Sequence, residues 1–176
     1  MKKLLFLGMF LFGMNLSFAQ QNFDMTTLRL GGFTINMSDK AAEKITKSKI
    51  TVVDSDSYQP TKVNYLGENI EIVFARSTND EGHYDGNFKI FSLATKSKKF
   101  RTKSGMGVGS TKDELLEAYK NYANFSVNQS WDEKTQKPST MNSTFALSDI
   151  EANTILNFIL RNNVVVEVNI YMDEGC

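Results

Sequence analysis

The spacing of hydrophobic residues changes along the chain, and the clearest helical spacing begins at Thr111. Leu115 and Tyr119 recur four residues apart and would share one apolar helix face. A threonine hydroxyl caps free amides of a first helical turn, and Glu114, three residues later, can complete a capping box. The pattern predicts a helix over roughly residues 112–123.

Three glycines, Gly105, Gly107 and Gly109, alternate with apolar residues immediately before this helix. A P-loop and a dinucleotide-binding fingerprint both require other glycine spacings. Strict alternation favours a strand-to-helix corner in which the backbone needs an unusual φ or close packing. We therefore predict a structural corner here rather than a phosphate site.

The first half of the chain shows one short helix and several strands. Ser38 is the predicted N-cap of the helix. The predicted strands are Lys49–Val53, Ile70–Phe74 and Phe88–Ala94, and the last places Ile90 and Leu93 on opposite sides. Between the second and third of these, residues 77–87 form a predicted hairpin loop that ends in the Asp85-Gly86 turn.

The second half of the chain is dominated by strand patterns. Predicted strands are Phe125–Trp131 and Thr144–Leu147, separated by a long polar loop over Asp132–Ser143 that contains Pro138. A final hairpin has Leu156, Phe158 and Leu160 on one face, a turn at Arg161-Asn162-Asn163, and Val164, Val166, Val168 and Ile170 on the partner face.

Both halves consist of a helix followed by mostly antiparallel strands, which predicts the α+β class with helices on one face of a sheet. The order resembles a diverged tandem repeat. The predicted organisation is a signal peptide over residues 1–19, a first helix-plus-sheet unit over 20–95 and a second over 96–176.

The amino terminus has the pattern of a secretory signal peptide. Lys2 and Lys3 precede an apolar run over Leu4–Leu16, and Ser17-Phe18-Ala19 offers small residues at a cleavage site. We expect an exported protein, periplasmic or extracellular. We also expect no transmembrane segment after signal removal, since no second long apolar segment follows.

Overall charge and composition narrow the function classes. The chain has formal charge 0, and removal of Lys2 and Lys3 leaves 18 basic and 20 acidic residues, which does not favour nucleic acid. Cys176, the only cysteine, excludes an internal disulfide and leaves open a free thiol or a link between two chains. We expect no cofactor.

Catalytic and metal-binding candidates are few. His83 is the only histidine and lies in the predicted loop over residues 77–87. Its Asp80-to-Gly86 segment is acidic but does not have the spacing of a calcium loop, so a hairpin loop is favoured. Carboxylate pairs remain candidates for hydrolysis only by default, namely Asp54 with Asp56 or Glu68 with Glu71.

Two groups of residues are candidates for partner binding. The basic group is Lys96, Lys98, Lys99, Arg101 and Lys103, which could dock an anionic partner or could keep an edge strand soluble. The aromatic group is Tyr119, Tyr122 and Trp131, which could anchor an interface or pack in the core.

The turn around Gly107-Val108-Gly109-Ser110, the helix beginning Lys112-Asp113-Glu114-Leu115 and the closing strands around Leu156–Leu160 and Val164–Val168 resemble a known domain. They are similar to the small helix-plus-sheet domain of the SmpA/OmlA type, found in an accessory lipoprotein of outer-membrane protein assembly. A related tandem arrangement occurs in the β-lactamase-inhibitor-protein fold. The resemblance implies a binding module rather than an enzyme.

These observations together predict an exported, non-enzymatic module of the bacterial cell envelope that binds a protein partner across an exposed sheet face. One alternative is a periplasmic or secreted inhibitor or immunity protein that blocks one enzyme. Another is a hydrolase that uses two carboxylates. Neither the partner nor the oligomeric state follows from the sequence.

Overall fold

The computed structural model describes residues 23–52, 59–79, 81–132 and 135–175. Its helices are α1 (Asp39–Thr46) and α2 (Lys112–Tyr119). Its strands are β1 (Arg29–Leu30), β2 (Phe33–Thr34), β3 (Thr61–Tyr65), β4 (Glu68–Thr78), β5 (Tyr84–Thr95), β6 (Phe125–Asp132), β7 (Lys137–Asp149), β8 (Thr154–Arg161) and β9 (Val164–Met172). The predicted signal peptide, Asp54, Asp56, Asp80 and Cys176 lie outside the described residues.

Strands β3 to β9 form one antiparallel sheet with the order β3-β4-β5-β9-β8-β7-β6, and β1 and β2 form a small separate hairpin. The predicted α+β class is therefore confirmed. Strand β5, the last strand of the first half, pairs with β9, the last strand of the second half. A single hydrophobic core extends across both halves.

The core lies on one face of this sheet. Strands β3 to β5 and β7 to β9 contribute alternate buried apolar residues to it, β6 contributes the half-buried Val127, and both helices and the β1–β2 hairpin pack over them. Fully buried members include Leu30, Phe33, Ala42, Ile70, Ile72, Ile90, Leu93, Leu115, Phe145, Phe158, Leu160 and Ile170. Burial of one such leucine, isoleucine or phenylalanine stabilises the fold by about 1.5–3 kcal/mol, so this layer dominates the stability.

Both predicted helix caps are present. The Ser38 hydroxyl accepts a hydrogen bond from the Ala41 amide at the start of α1. At the start of α2, the Thr111 hydroxyl accepts from the Glu114 amide, and the Glu114 carboxylate accepts from the Thr111 amide at 2.7 Å. These bonds hold the pKa of Glu114 below its usual value. No helix within the described residues is long and apolar enough to cross a membrane.

The glycine segment before α2 is a tight turn into the helix, and the predicted strand before it is wrong, because the described residues between β5 and α2 contain no strand. Gly105 and Gly109 have φ values of 79° and 95°, which disfavour other residues. A Cβ atom on Gly107 would lie 2.4 Å from the Phe100 carbonyl oxygen, so this glycine permits close packing. All three glycine amides donate within the protein: Gly105 to Thr102, Gly107 to the Ser110 hydroxyl and Gly109 to Val165. These three amides are therefore already hydrogen-bonded within the protein and are not free to bind a phosphate.

The β8–β9 hairpin is confirmed, with one error in its register. Asn162 and Asn163 form the turn with φ values of 51° and 60°. Ile159 pairs with Glu167 while Leu160 pairs with Val165, so Val166 is an extra residue in a β-bulge. The core face of β9 consequently carries Val165, Val168 and Ile170, and the predicted inward positions of Val164 and Val166 are wrong because both are exposed.

A second bulge corrects the prediction for β5. Val73 pairs with Ser92 and Phe74 pairs with Ile90, which leaves Phe91 as the extra residue. Ile90 and Leu93 therefore face the same side, and both are fully buried. The prediction of opposite sides assumed unbroken alternation.

Three segment predictions are wrong. Residues 49–52, the described part of the predicted strand Lys49–Val53, contain no strand. Polar residues that were predicted to be loop extend the neighbouring strands instead. Strand β7 begins at Lys137, inside the predicted loop over Asp132–Ser143, with Pro138 near its start. Strand β5 begins at Tyr84, so Asp85 and Gly86 lie in the strand and not in the turn.

Candidate functional site

The face of the sheet opposite the core, called here the outer face, is the main candidate surface. The buried residues of α1 and α2 all join the core on the other face. Cross-strand pairing arranges outer-face residues in rows across the sheet. One row is Ala94, Asn169, Asn157, Ala146 and Ser126; its neighbours are Ser92, Tyr171, Ile155 and Ser148 on one side and Glu167, Ile159, Thr144 and Asn128 on the other.

Eight of these outer-face positions on β7, β8 and β9 carry no charge. They are Thr144, Ala146, Ser148, Ile155, Asn157, Ile159, Asn169 and Tyr171, called here the uncharged tract. Ala146 is buried and the other seven are half-buried. The centre of a protein interface is depleted in charged residues and enriched in aromatic ones; the tract shares the depletion and includes Tyr171, whereas Ala146 and Ser148 are of types less common there.

An asparagine pair lies at the middle of the uncharged tract. Asn157 and Asn169 are directly opposite on β8 and β9, with Ala146 and Ala94 as the next residues in the row. The Asn169 Oδ1 atom is buried and has no hydrogen-bond partner among the described residues. The pair therefore retains hydrogen-bonding capacity that the surrounding sheet does not satisfy.

A groove of about 410 Å³ lies beside the tract, at the end of the sheet formed by β3, β4, β5 and β9. Its lining includes Lys62, Glu68, Asn69, Glu71, Lys96 and Glu167. This volume falls within the range of small-ligand clefts, but its charged lining differs from the mostly apolar lining of such sites.

The charges of this groove are paired. Lys62 lies 3.5 Å from Glu71, Lys96 lies 3.4 Å from Glu167, and Lys99 lies 2.7 Å from Glu68. The Lys99 hydrogen bond, with help from Ser97, holds the pKa of Glu68 below its usual value. A general acid at neutral pH needs a raised pKa, so Glu68 has the opposite tendency to the one a carboxylate hydrolase requires.

The five basic residues differ in their partners and exposure. Lys96 and Lys99 pair with glutamates, whereas Arg101 donates to the Val108 carbonyl at 3.0 Å and to the Ser110 hydroxyl at 3.4 Å. Lys98 and Lys103 are exposed and form no ion pair with a described residue. The edge-strand alternative is wrong, because residues 96–103 form a connection outside the sheet with Phe100 fully buried.

The three candidate aromatic residues have different environments. Tyr119 is 9% exposed, contacts the rings of Phe145 and Phe158, and donates to the Thr102 hydroxyl at 2.7 Å. Tyr122 is half-buried against it, and burial raises the pKa of both phenols. Trp131 is 59% exposed on β6. Core packing therefore accounts for Tyr119, and Trp131 is the most accessible of the three.

The loop around His83 has the features of a connection. His83 and Glu81 are both exposed, with 3.6 Å between their nearest charged atoms. Asp85 accepts hydrogen bonds from the Asn87 amide and the Ser77 hydroxyl, which lower its pKa. Within the ranges that the structure describes, no three acidic, histidine or cysteine side chains are grouped as a metal site.

Sequence reasoning did not single out the residues of the uncharged tract. The sequence does contain a pattern that marks them. In the alternation of β8, Ile155, Asn157 and Ile159 occupy the outward positions, on the face opposite the core. Outward positions of an exposed strand commonly carry lysine or glutamate, and their absence from consecutive outward positions is the feature that marks these residues.

Comparisons with known proteins assign no family. No protein-family model, no curated protein and no solved structure matches this chain.

Proposed function

We propose that this chain is an exported, non-enzymatic protein-binding module of the bacterial cell envelope whose partner docks on the outer face. The observation that supports this most strongly is the uncharged tract, because eight neighbouring outer-face positions carry no charge, as is typical of interface centres. Export rests on the signal-peptide pattern of residues 1–19.

The surroundings of the tract support the same proposal. The groove with its three lysine–glutamate pairs lies at one side of the tract and provides the charged rim that commonly encloses an interface centre. At the opposite edge of the sheet, β6 carries the exposed Trp131. Exposed ion pairs contribute little to binding energy. The tract would therefore supply most of the affinity for the partner, and the charged rim would orient it.

We also propose that residues 20–95 and 96–176 are related units. In each half, a helix of eight residues precedes a long antiparallel hairpin, β4–β5 in the first and β8–β9 in the second. The last strands of the two halves pair at the junction within the sheet. Such a duplication would create one continuous outer face from two copies of a smaller surface.

The experiment is a capture from an envelope extract with mature residues 20–176, with bound proteins identified by mass spectrometry. Two variants are compared with the wild type. Asn157→Lys introduces a charge at the centre of the tract, and Asn121→Lys makes the same change at an exposed position two residues after α2. Thermal unfolding of all three proteins confirms that each is folded.

The proposal predicts a stoichiometric partner that the wild type and Asn121→Lys retain and that Asn157→Lys loses. Capture that is equally strong with all three proteins would contradict docking at the tract. The identity of the partner separates the alternatives. An enzyme that loses its activity when bound would support the inhibitor alternative, whereas an assembly or wall component would support the envelope module.

A further inference from the structure

The two edges of the seven-stranded sheet are β3 and β6. An edge strand presents a row of backbone amides and carbonyls that can pair with another strand, and proteins commonly block such edges with short strands, lysine or proline. Strand β3 follows this rule, because it has five residues and includes Lys62. The two edges can therefore be compared directly.

Strand β6 is longer and carries neither lysine nor proline along most of its length, and the irregularity in its pairing with β7 lies near its end, between Gln129 and Trp131. It has eight residues, and its first seven, Phe125 to Trp131, contain no charged residue and no proline. Within the described parts of the chain it pairs only with β7. Five of its eight residues are exposed, with Trp131 59% exposed and Phe125 38% exposed, although Phe125 stacks on Phe145. This edge is open to pairing with another strand.

The sequence of β6 is compatible with pairing to itself. Asn128 is the central residue of the uncharged segment, so antiparallel pairing of two copies about Asn128 gives full overlap. In this register Ser126 lies opposite Ser130 of the second copy, and Phe125 lies opposite Trp131 of the second copy, beyond the irregularity between Gln129 and Trp131. No like charges oppose each other, and an aromatic cross-strand pair forms at each end, which stabilises antiparallel pairing.

We propose that β6 is a homodimerisation edge at which two copies of this chain pair antiparallel about Asn128. The twofold axis runs perpendicular to the sheet, so both cores remain on the same side and the two outer faces become continuous. This isologous arrangement closes with two subunits and occupies the open edge of each. It does not depend on the identity of the partner at the uncharged tract.

The inference is tested by sedimentation velocity on mature residues 20–176, from about 1 µM to about 1 mM, a range suited to a small interface. Wild type is expected to shift from monomer to dimer. Asn128→Lys and Asn128→Asp each place like charges opposite one another and are expected to remain monomeric at all concentrations. An equimolar mixture of the two variants is expected to form a dimer again, because opposite charges then meet at the axis.

Recovery in the mixture separates a lost interface from a lost fold, since misfolded variants would not restore each other. A wild type that stays monomeric over the whole range would overturn the inference. A dimer that both single variants retain would also overturn it, because the interface would then lie elsewhere on the chain.

Discussion

Replacement of Gly107 by alanine tests how the glycine corner holds α2 against the sheet. The added Cβ would lie 2.4 Å from the Phe100 carbonyl oxygen, and real Cβ contacts essentially never fall below 3.0 Å. The backbone at Phe100 must therefore move by about 0.6 Å, and it cannot rotate away as a side chain can. Phe100 is fully buried, so its displacement disturbs core packing as well.

The expected loss of stability follows from this clash and from the neighbouring hydrogen bonds. Overpacking of this kind typically costs about 1–3 kcal/mol, while the loss of glycine freedom in the unfolded chain returns about 0.4–1 kcal/mol. We expect Gly107→Ala to lower the free energy of unfolding by about 1–2 kcal/mol. The Arg101 side chain, 3.1 Å from the added Cβ, would also be displaced from its contacts with Val108 and Ser110.

Urea unfolding followed by circular dichroism measures this difference, with Gly32→Ala as the matched control. The three atoms nearest to a Cβ on Gly32 are side-chain atoms of Ile45 and Tyr65, each at 3.3 Å, so a shift of a few tenths of an ångström relieves these contacts. We expect the control to change the free energy of unfolding by no more than about 0.5 kcal/mol. If Gly107→Ala is as stable as Gly32→Ala, the close-packing explanation of the corner is refuted.

Three further substitutions test the core and the cap of α2. Phe158→Ala should lower the free energy of unfolding by about 3–5 kcal/mol in urea titrations, because Phe158 is fully buried among aromatic rings. Thr111→Ala should lower it by about 1 kcal/mol in the same assay, since the Glu114 amide loses its acceptor. Glu114→Gln should lower stability at pH 7 and reduce its loss in acid. The folded pKa of Glu114 is depressed, so its contribution is present above the unfolded pKa of about 4.3 and is lost as pH falls through the folded value. Urea titrations at pH 7 and about pH 3 measure this, and an unchanged pH dependence would contradict it.

Local interactions explain which parts of the fold could be predicted from sequence. The capping box at Thr111 and Glu114 and the Asn162–Asn163 turn each depend on residues that are close in sequence, and both are present. The bulges at Phe91 and Val166 depend on how two strands pair, which the alternation within one strand does not reveal. For the same reason, Leu93 and Val166 were assigned to the wrong faces.

Less of the candidate site than of the fold could be predicted from the sequence. The polar residues 137–142 resemble a loop, but pairing within the sheet makes them part of β7. The alternation of β8 predicts which of its residues share a face. It does not predict which face stays uncovered, because that depends on the side on which α1 and α2 pack. The positions of Lys96 and Lys99 beside Glu167 and Glu68 also required the tertiary structure, because these partners lie on other strands.

The most direct test of docking at the outer face is site-specific photo-crosslinking in an envelope extract. A benzophenone amino acid is placed at Asn157, in the uncharged tract, and separately at Glu117, an exposed position on α2. We predict a single adduct of defined mass from position 157 and none from position 117. Adducts from position 117 alone, or none from position 157 when a partner is captured, would contradict the proposal that this face binds the partner.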